Sequence, residues 1–146
     1  MYKVILVPLD GSPLAEAVLP HAQALAKSEG AKIILLRVPS SPATEFISRD
    51  PAIIAKILED MDQQTRDYVE NKVTKLKGEG ILASGVIREG SIPDTIIEVA
   101  KENHADVITM STHGRSGLQR ILMGSVAEQV VSISPVPVML FHPSFV

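Results

Sequence analysis

The chain contains no cysteine and no tryptophan, and only two tyrosines and three phenylalanines among 146 residues. Without thiols there is no disulfide scaffold, no zinc–thiolate site and no cysteine chemistry, which fits a reducing compartment. Basic charge is also scarce: 14 Lys and Arg against 17 Asp and Glu give a net charge of −3. That balance argues against nonspecific nucleic-acid binding. No apolar run approaches the ~18 residues of a membrane span, so no membrane partner is expected. Met1-Tyr2-Lys3-Val4 leads straight into an apolar run with no leader-like segment. A cytoplasmic protein of one domain, residues 1–146, is the expectation.

What the chain has in plenty is aliphatic side chains. Val4-Ile5-Leu6-Val7-Pro8-Leu9 and Ala31 to Val38 are nearly continuous apolar runs, as in parallel strands covered on both faces. Asp10-Gly11-Ser12-Pro13 follows the first, with Ser12 as N-cap of a helix reaching Glu29 and stopping at Gly30. Pro20 inside that helix predicts a kink or break. Beyond an irregular stretch to about Asp50, Ile54, Ile57, Leu58, Met61, Tyr68, Val69, Val73 and Leu76 recur at steps of three and four. They predict one long amphipathic helix. Ile81 to Arg88 is a less apolar strand holding Gly85, expected near a sheet edge. Ser91-x-x-Asp94 starts the next helix, Asp106 to Met110 is the fourth strand, and Ser125 to Ser132 the last helix. Pro135 to Phe141 is the fifth strand, and its prolines demand an edge. Strands and helices alternate with short links, which calls for an α/β fold with a parallel sheet and right-handed crossovers, hence helices on both faces.

Chemistry is expected where strands end. Met110 to Glu128 reads strand, glycine-bearing loop, helix start. Gly114 and Gly124 would admit a phosphate close to the backbone, and the helix N-terminus would supply N–H groups. Ser125-x-x-Glu128 has the form of a capping box, so Ser125 serves either as a cap or at a phosphate. Neither G-x-x-x-x-G-K-[ST] nor G-x-G-x-x-G is present. In open α/β sheets ligands sit beyond the carboxyl ends of strands. Leu9-Asp10-Gly11-Ser12 at the end of strand one, with Pro8 before it, and Arg37-Val38-Pro39 after strand two therefore join the candidate set. Asp10 would bond a ribose hydroxyl or hold Mg²⁺ through water, or else serve only its own turn. The Val38 backbone would read an adenine edge. Arg115 and Arg120 would meet phosphates or simply face solvent. His113 borders the loop and could touch a ligand, but no histidine pair has metal-ligand spacing. No general base is placed for fast hydrolysis, so the residues point to binding over catalysis.

Four segments together resemble the universal stress protein family: Val4 to Ser12 (V-I-L-V-P-L-D-G-S), Met110 to Gly117 (M-S-T-H-G-R-S-G), Gly124 to Glu128 (G-S-V-A-E) and Pro135 to Val138 (P-V-P-V). The likeness spans essentially the whole chain. It implies a single five-stranded parallel sheet of order 3-2-1-4-5, Rossmann-like in the manner of adenine nucleotide alpha hydrolases. It also implies a homodimer through the C-terminal edge strand Val136–Phe141. The family's ATP-binding branch carries G-x2-G-x9-G-[ST]; Gly114 and Gly124-Ser125 match its second half, and Ser111 stands where the first glycine would be. By this resemblance Asp10, Val38, Met110, Ser111, Gly114, Arg115, Gly124, Ser125 and Val126 would hold ATP, with Mg²⁺. The expected function is an ATP-binding stress-response or signalling module with slow hydrolysis at most. A nucleotide-independent dimeric interaction protein is the alternative, favoured by Ser111. A true nucleotide hydrolase on the same scaffold is the third reading.

Overall fold

The structure, a computed structural model, describes residues 1–39, 49–113 and 124–143. Its elements are β1 (Val4–Leu9), α1 (Pro13–Glu16), α2 (Leu19–Glu29), β2 (Lys32–Arg37), α3 (Pro51–Gly78), β3 (Ala83–Ile87), α4 (Ile92–Glu102), β4 (Val107–Ser111), α5 (Ser125–Ile133) and β5 (Val138–Phe141). All strand pairs are parallel, and the order is β3-β2-β1-β4-β5.

Alternation along each strand divides the core in two. Ile5, Val7, Leu9, Ile33, Leu35 and Val107 point to one face, beneath Ala22 and Ala26 of α2 and Val69 and Leu76 of α3. Leu6, Ile34, Leu36, Ile108 and Met110 point to the other, beneath Ile96 and Val99 of α4 and Val130 of α5. Covered on both faces, these strands have no polar side to show, which is why their sequences read as unbroken apolar runs.

Punctuation falls where the chain chemistry requires. Ser12 accepts the Ala15 N–H at 3.2 Å and caps α1. The expected break at Pro20 is real: α1 stops at Glu16 and α2 restarts at Leu19, placing the proline in a first turn, where its missing N–H costs nothing. Gly30 ends α2 at φ 66°, the left-handed conformation glycine adopts without strain. At the amino end of β4, Asp106 Oδ2 accepts the N–H groups of Lys3 and Val4 at 2.7 and 2.8 Å. That pair of bonds holds the start of β1 against β4 and keeps the Asp106 carboxyl below its ordinary pKa.

Three expectations about elements are corrected. The last strand begins at Val138, because Pro135 and Pro137 have no N–H to donate to the ladder. Ser91 lies at the N-cap of α4 but makes no side-chain cap bond. The stripe on α3 packs on the core from Tyr68 onward, while Ile54 and Ile57 are only half-buried and Leu58 and Met61 are exposed at 38% each. Geometry explains the last: at 1.5 Å per residue α3 is roughly 42 Å long, whereas a five-residue strand covers about 17 Å. Gly85 fixes where the two meet, since a Cβ there would lie 2.3 Å from Val69 Cγ1. The amino-terminal half of α3 therefore runs past the carboxyl end of the strands.

Candidate functional site

Strand order reverses between β1 and β4, so the chain leaving Leu9 and the chain leaving Ser111 emerge side by side. An open α/β sheet offers a crevice at such a point. Pro8 and Leu9 close β1, Leu9 being buried and Pro8 half-buried, and both pair in register with the end of β2. Asp10 follows. Its Oδ1 accepts the Ser12 N–H at 2.8 Å, an Asx turn that fixes the carboxylate at the mouth of the crevice. The turn role weighed for Asp10 is thus real, and a carboxylate has further acceptor positions for a ribose hydroxyl or metal-bound water.

Val38, 5% exposed, continues β2 one residue beyond the ladder. Its carbonyl accepts Arg37 Nη1 at 3.1 Å, leaving a second lone pair. The sequence marked Arg37 only by its place at the end of strand two and Tyr68 only as part of the α3 stripe; Glu16 and Lys72 were not singled out. Lys72 pairs with Glu16 and lies over the Tyr68 ring. Burial, then the Glu16 carboxylate, raises the Tyr68 hydroxyl well above the ordinary phenol range, so Tyr68 stays protonated. Asp10 and Arg37 act on the same hydroxyl with opposite sign. Periodicity could announce Tyr68 and Lys72 only as residues of one helical face; their meeting with Glu16 depends on tertiary packing.

On the β4 side, Met110 and Ser111 are buried at 6% each. Ser111 Oγ accepts the His113 N–H at 3.4 Å, so the hydroxyl is directed at the local turn. Gly114, Arg115 and Arg120 lie outside the described residues. The chain re-enters at Gly124, whose N–H donates to the Thr112 carbonyl at 2.6 Å. A Cβ on Gly124 would approach that same oxygen to 2.5 Å. Gly124 is the N-cap of α5 and its carbonyl accepts the Glu128 N–H at 3.0 Å.

This corrects the capping box. Ser125 is the first helical residue and not the cap, and no side chain caps α5. The long-range bond to Thr112 sets where the helix begins. Gly124 is glycine because it abuts the Thr112 backbone, and its amide is already engaged. Within the described residues no hydrogen bond reaches the N–H groups of Ser125, Val126 or Ala127. The positive end of α5 therefore lies just beyond the carboxyl end of β4.

His113 is 2% exposed. Its ring stacks on His142 with centroids 5.5 Å apart, and Thr112 Oγ1 lies 2.9 Å from the Nδ1 atoms of both rings. The Ser111↔Phe141 register brings these residues together across 30 positions, so no local signal in the sequence could have found the cluster. Among the described residues, no group of three or more His, Asp or Glu side chains is placed to hold a metal ion.

Comparison with known proteins decides the family. Residues 1–142 match the universal stress protein family along nearly the whole chain. The chain belongs to this family. Universal stress protein MJ0531 of Methanocaldococcus jannaschii is 33% identical, the match covering 96% of this chain and 82% of the relative. MJ0577 of the same organism is 31% identical, covering 96% and 94%. The solved structure of MJ0577 superposes with a TM-score of 0.85 at 28% identity over 100% and 99% of the two chains. A universal stress protein family member from Arabidopsis thaliana with AMP bound shares the fold at a TM-score of 0.70 and 19% identity, covering 97% and 92%.

Proposed function

We propose that this universal stress protein, taken as one unit from residue 1 to 146, binds an adenine nucleotide, ATP with Mg²⁺, in the crevice between the ends of β1 and β4. The observation that supports the reading is that Gly124, the N-cap of α5, is held to the end of β4 by the Thr112 carbonyl, beside the end of β1 where Asp10 makes its turn. In this reading the Val38 backbone meets the adenine edge. Pro8, Leu9, Met110 and His113 wall the crevice. Asp10 and Ser111 lie toward the ribose, and the N–H groups of Ser125 and Val126 meet phosphate oxygens, with Gly124 holding them in place. Gly114 and Arg115 complete the proposed set.

The donor set suits these groups. A helix N-terminus stabilises anionic oxygens. Mg²⁺ keeps most of its waters and needs only one or two carboxylates beside the phosphates, so one Asp10 suffices. Bound Mg²⁺ would offset phosphate charge. The bound nucleotides of relatives lend support: one family member of known structure is a complex with cAMP and another holds AMP.

The proposal extends to a cytoplasmic stress-response role and to a homodimer through the edge at Val136–Phe141. Every residue of β5 is half-buried, and Val131 and Ile133 on adjoining α5 are exposed at 45 and 48%. No described helix is long and apolar enough to cross a membrane. Titration calorimetry with Mg-ATP on nucleotide-stripped protein tests the central point; the expected result is saturable heat at micromolar ligand, and no heat at millimolar ligand overturns it. The second reading is a nucleotide-independent dimer. It is favoured by Ser111, which puts a side chain where the ATP-binding pattern has glycine, and it predicts an unchanged melting temperature in Mg-ATP.

A further inference from the structure

Every polar group of Thr112 is committed, and each commitment runs to a different part of the molecule. Its carbonyl accepts the Gly124 N–H at 2.6 Å, at the start of α5. Its N–H donates to the Phe141 carbonyl at 2.8 Å, at the end of β5. Its hydroxyl lies 2.9 Å from His113 Nδ1 and 2.9 Å from His142 Nδ1. The residue is 8% exposed. One buried threonine thus joins the start of α5, the strand end at His113 and the outermost strand.

A hydroxyl has one proton to give and lone pairs to receive with. Between two neutral imidazoles it can donate to one Nδ1 only, so the other Nδ1 must carry a hydrogen and donate to the oxygen. The two rings are held in opposite tautomers. Rotating the hydroxyl toward the other ring requires both tautomers to exchange. Phe141, next to His142, also stacks on His21 of α2 at 4.1 Å. The cluster therefore ends at a ring pair against the far helix layer.

We infer that Thr112 is a positioning residue that couples the N-terminal end of α5 to the β5 edge, so that an anion arriving at α5 is read out at His142. The coupling half of this inference rests on the nucleotide site proposed above; the opposite tautomers do not. Neither Thr112 nor His142 touches the ligand in this account. Their part is to transmit a displacement of Gly124 through a carbonyl, a side chain and an edge strand held by the same residue.

Side-chain ¹⁵N NMR of full-length wild type, Thr112→Val and Thr112→Ser is the test. In wild type at pH 8, one of His113 and His142 is expected to carry its hydrogen on Nδ1 and the other on Nε2. Valine keeps the shape and loses the hydroxyl, and the tautomer of at least one ring shifts away from the wild-type pattern; serine restores it. Mg-ATP is expected to shift the His142 ring resonances in wild type and Thr112→Ser and to leave them unmoved in Thr112→Val. Identical tautomers in wild type overturn the inference. So does a His142 response to Mg-ATP that survives in Thr112→Val, or a His142 that ignores bound nucleotide in wild type. Should Mg-ATP not bind at all, the function proposed above fails separately. Ser125→Asp, which sets a carboxylate on the first turn of α5, then replaces the ligand: His142 must move in the wild-type background and stay still beside Thr112→Val.

Discussion

Two of the described glycines, Gly85 and Gly124, lie so close to another part of the chain that an added Cβ would force something to shift, and they are limited by different things. Gly85 in the β3–α3 region faces the Val69 side chain, with Cγ1 2.3 Å from where its Cβ would be. Gly124 in the β4–α5 region faces the Thr112 carbonyl oxygen at 2.5 Å. A valine methyl can rotate or be trimmed. A carbonyl at the end of a fully buried strand cannot. The first glycine serves the packing of a helix on a sheet, and its neighbourhood can adapt. The second holds a helix terminus to a strand end, and its neighbourhood is fixed.

Breaking the second contact should cost most. Gly124→Ala is expected to weaken Mg-ATP binding by about 100-fold, roughly 3 kcal/mol, measured by calorimetry, because the Thr112 bond and the first turn of α5 must separate. Trimming neighbours should not rescue it. Gly85→Ala is expected to destabilise the fold by about 2 kcal/mol through overpacking, with nucleotide affinity unchanged. Adding Val69→Ala should return part of that loss, and a double-mutant cycle in urea would show coupling of about 1 kcal/mol. If Gly85→Ala proves as irreparable as Gly124→Ala, the contrast between side-chain and backbone limits is wrong.

Smaller effects sharpen the contrast within the β4–α5 region. Asp10→Asn keeps the turn acceptor but removes the charge. It should weaken Mg-ATP about tenfold while changing metal-free nucleotide binding little, as calorimetry with and without Mg²⁺ would show. The least effect belongs to Asp106, at the opposite end of β4. The Lys3 and Val4 N–H groups hold its carboxyl below the ordinary value near about 3.9. Its contribution is therefore complete above that pH and is lost as pH falls through the depressed folded value. Asp106→Asn should therefore lower stability slightly near neutrality, where that contribution is complete, and converge with wild type in acid, flattening the acid limb of the stability–pH curve.

Much of this architecture was legible because parallel strands covered on both faces have no polar side to hide. Ile5 to Leu9 and Ile33 to Leu36 read as strands for the same reason that they are buried. Proline and glycine marked boundaries well: Pro20 opened α2, and Gly30 closed it. What could not be read was anything set by contact across the sequence. Ser125-x-x-Glu128 matched a cap pattern, yet Gly124 took the cap because a distant carbonyl claimed its amide. His113 and His142 became neighbours only through the β4–β5 register. The α3 stripe was periodic throughout, but periodicity says nothing of where the sheet beneath it ends. Of the candidate site, Asp10, Val38, Ser111 and Gly124 were named as site residues; Thr112 was not, Arg37 was marked only by its place at a strand end, and Tyr68 only as part of a helical stripe.

The length of α3 has a consequence for its motion. Its carboxyl-terminal half is clamped by Val69, Val73 and Leu76, while its other half begins at an Asp50 cap bonded to Ala52 N–H and lacks a sheet beneath it. Helical turns outside a packed core open from their ends inward. A single continuous helix should therefore show a gradient of amide exchange, from rapid near Ile53 to slow near Leu76. The register against Gly85 acts as the fixed point from which the remainder unzips.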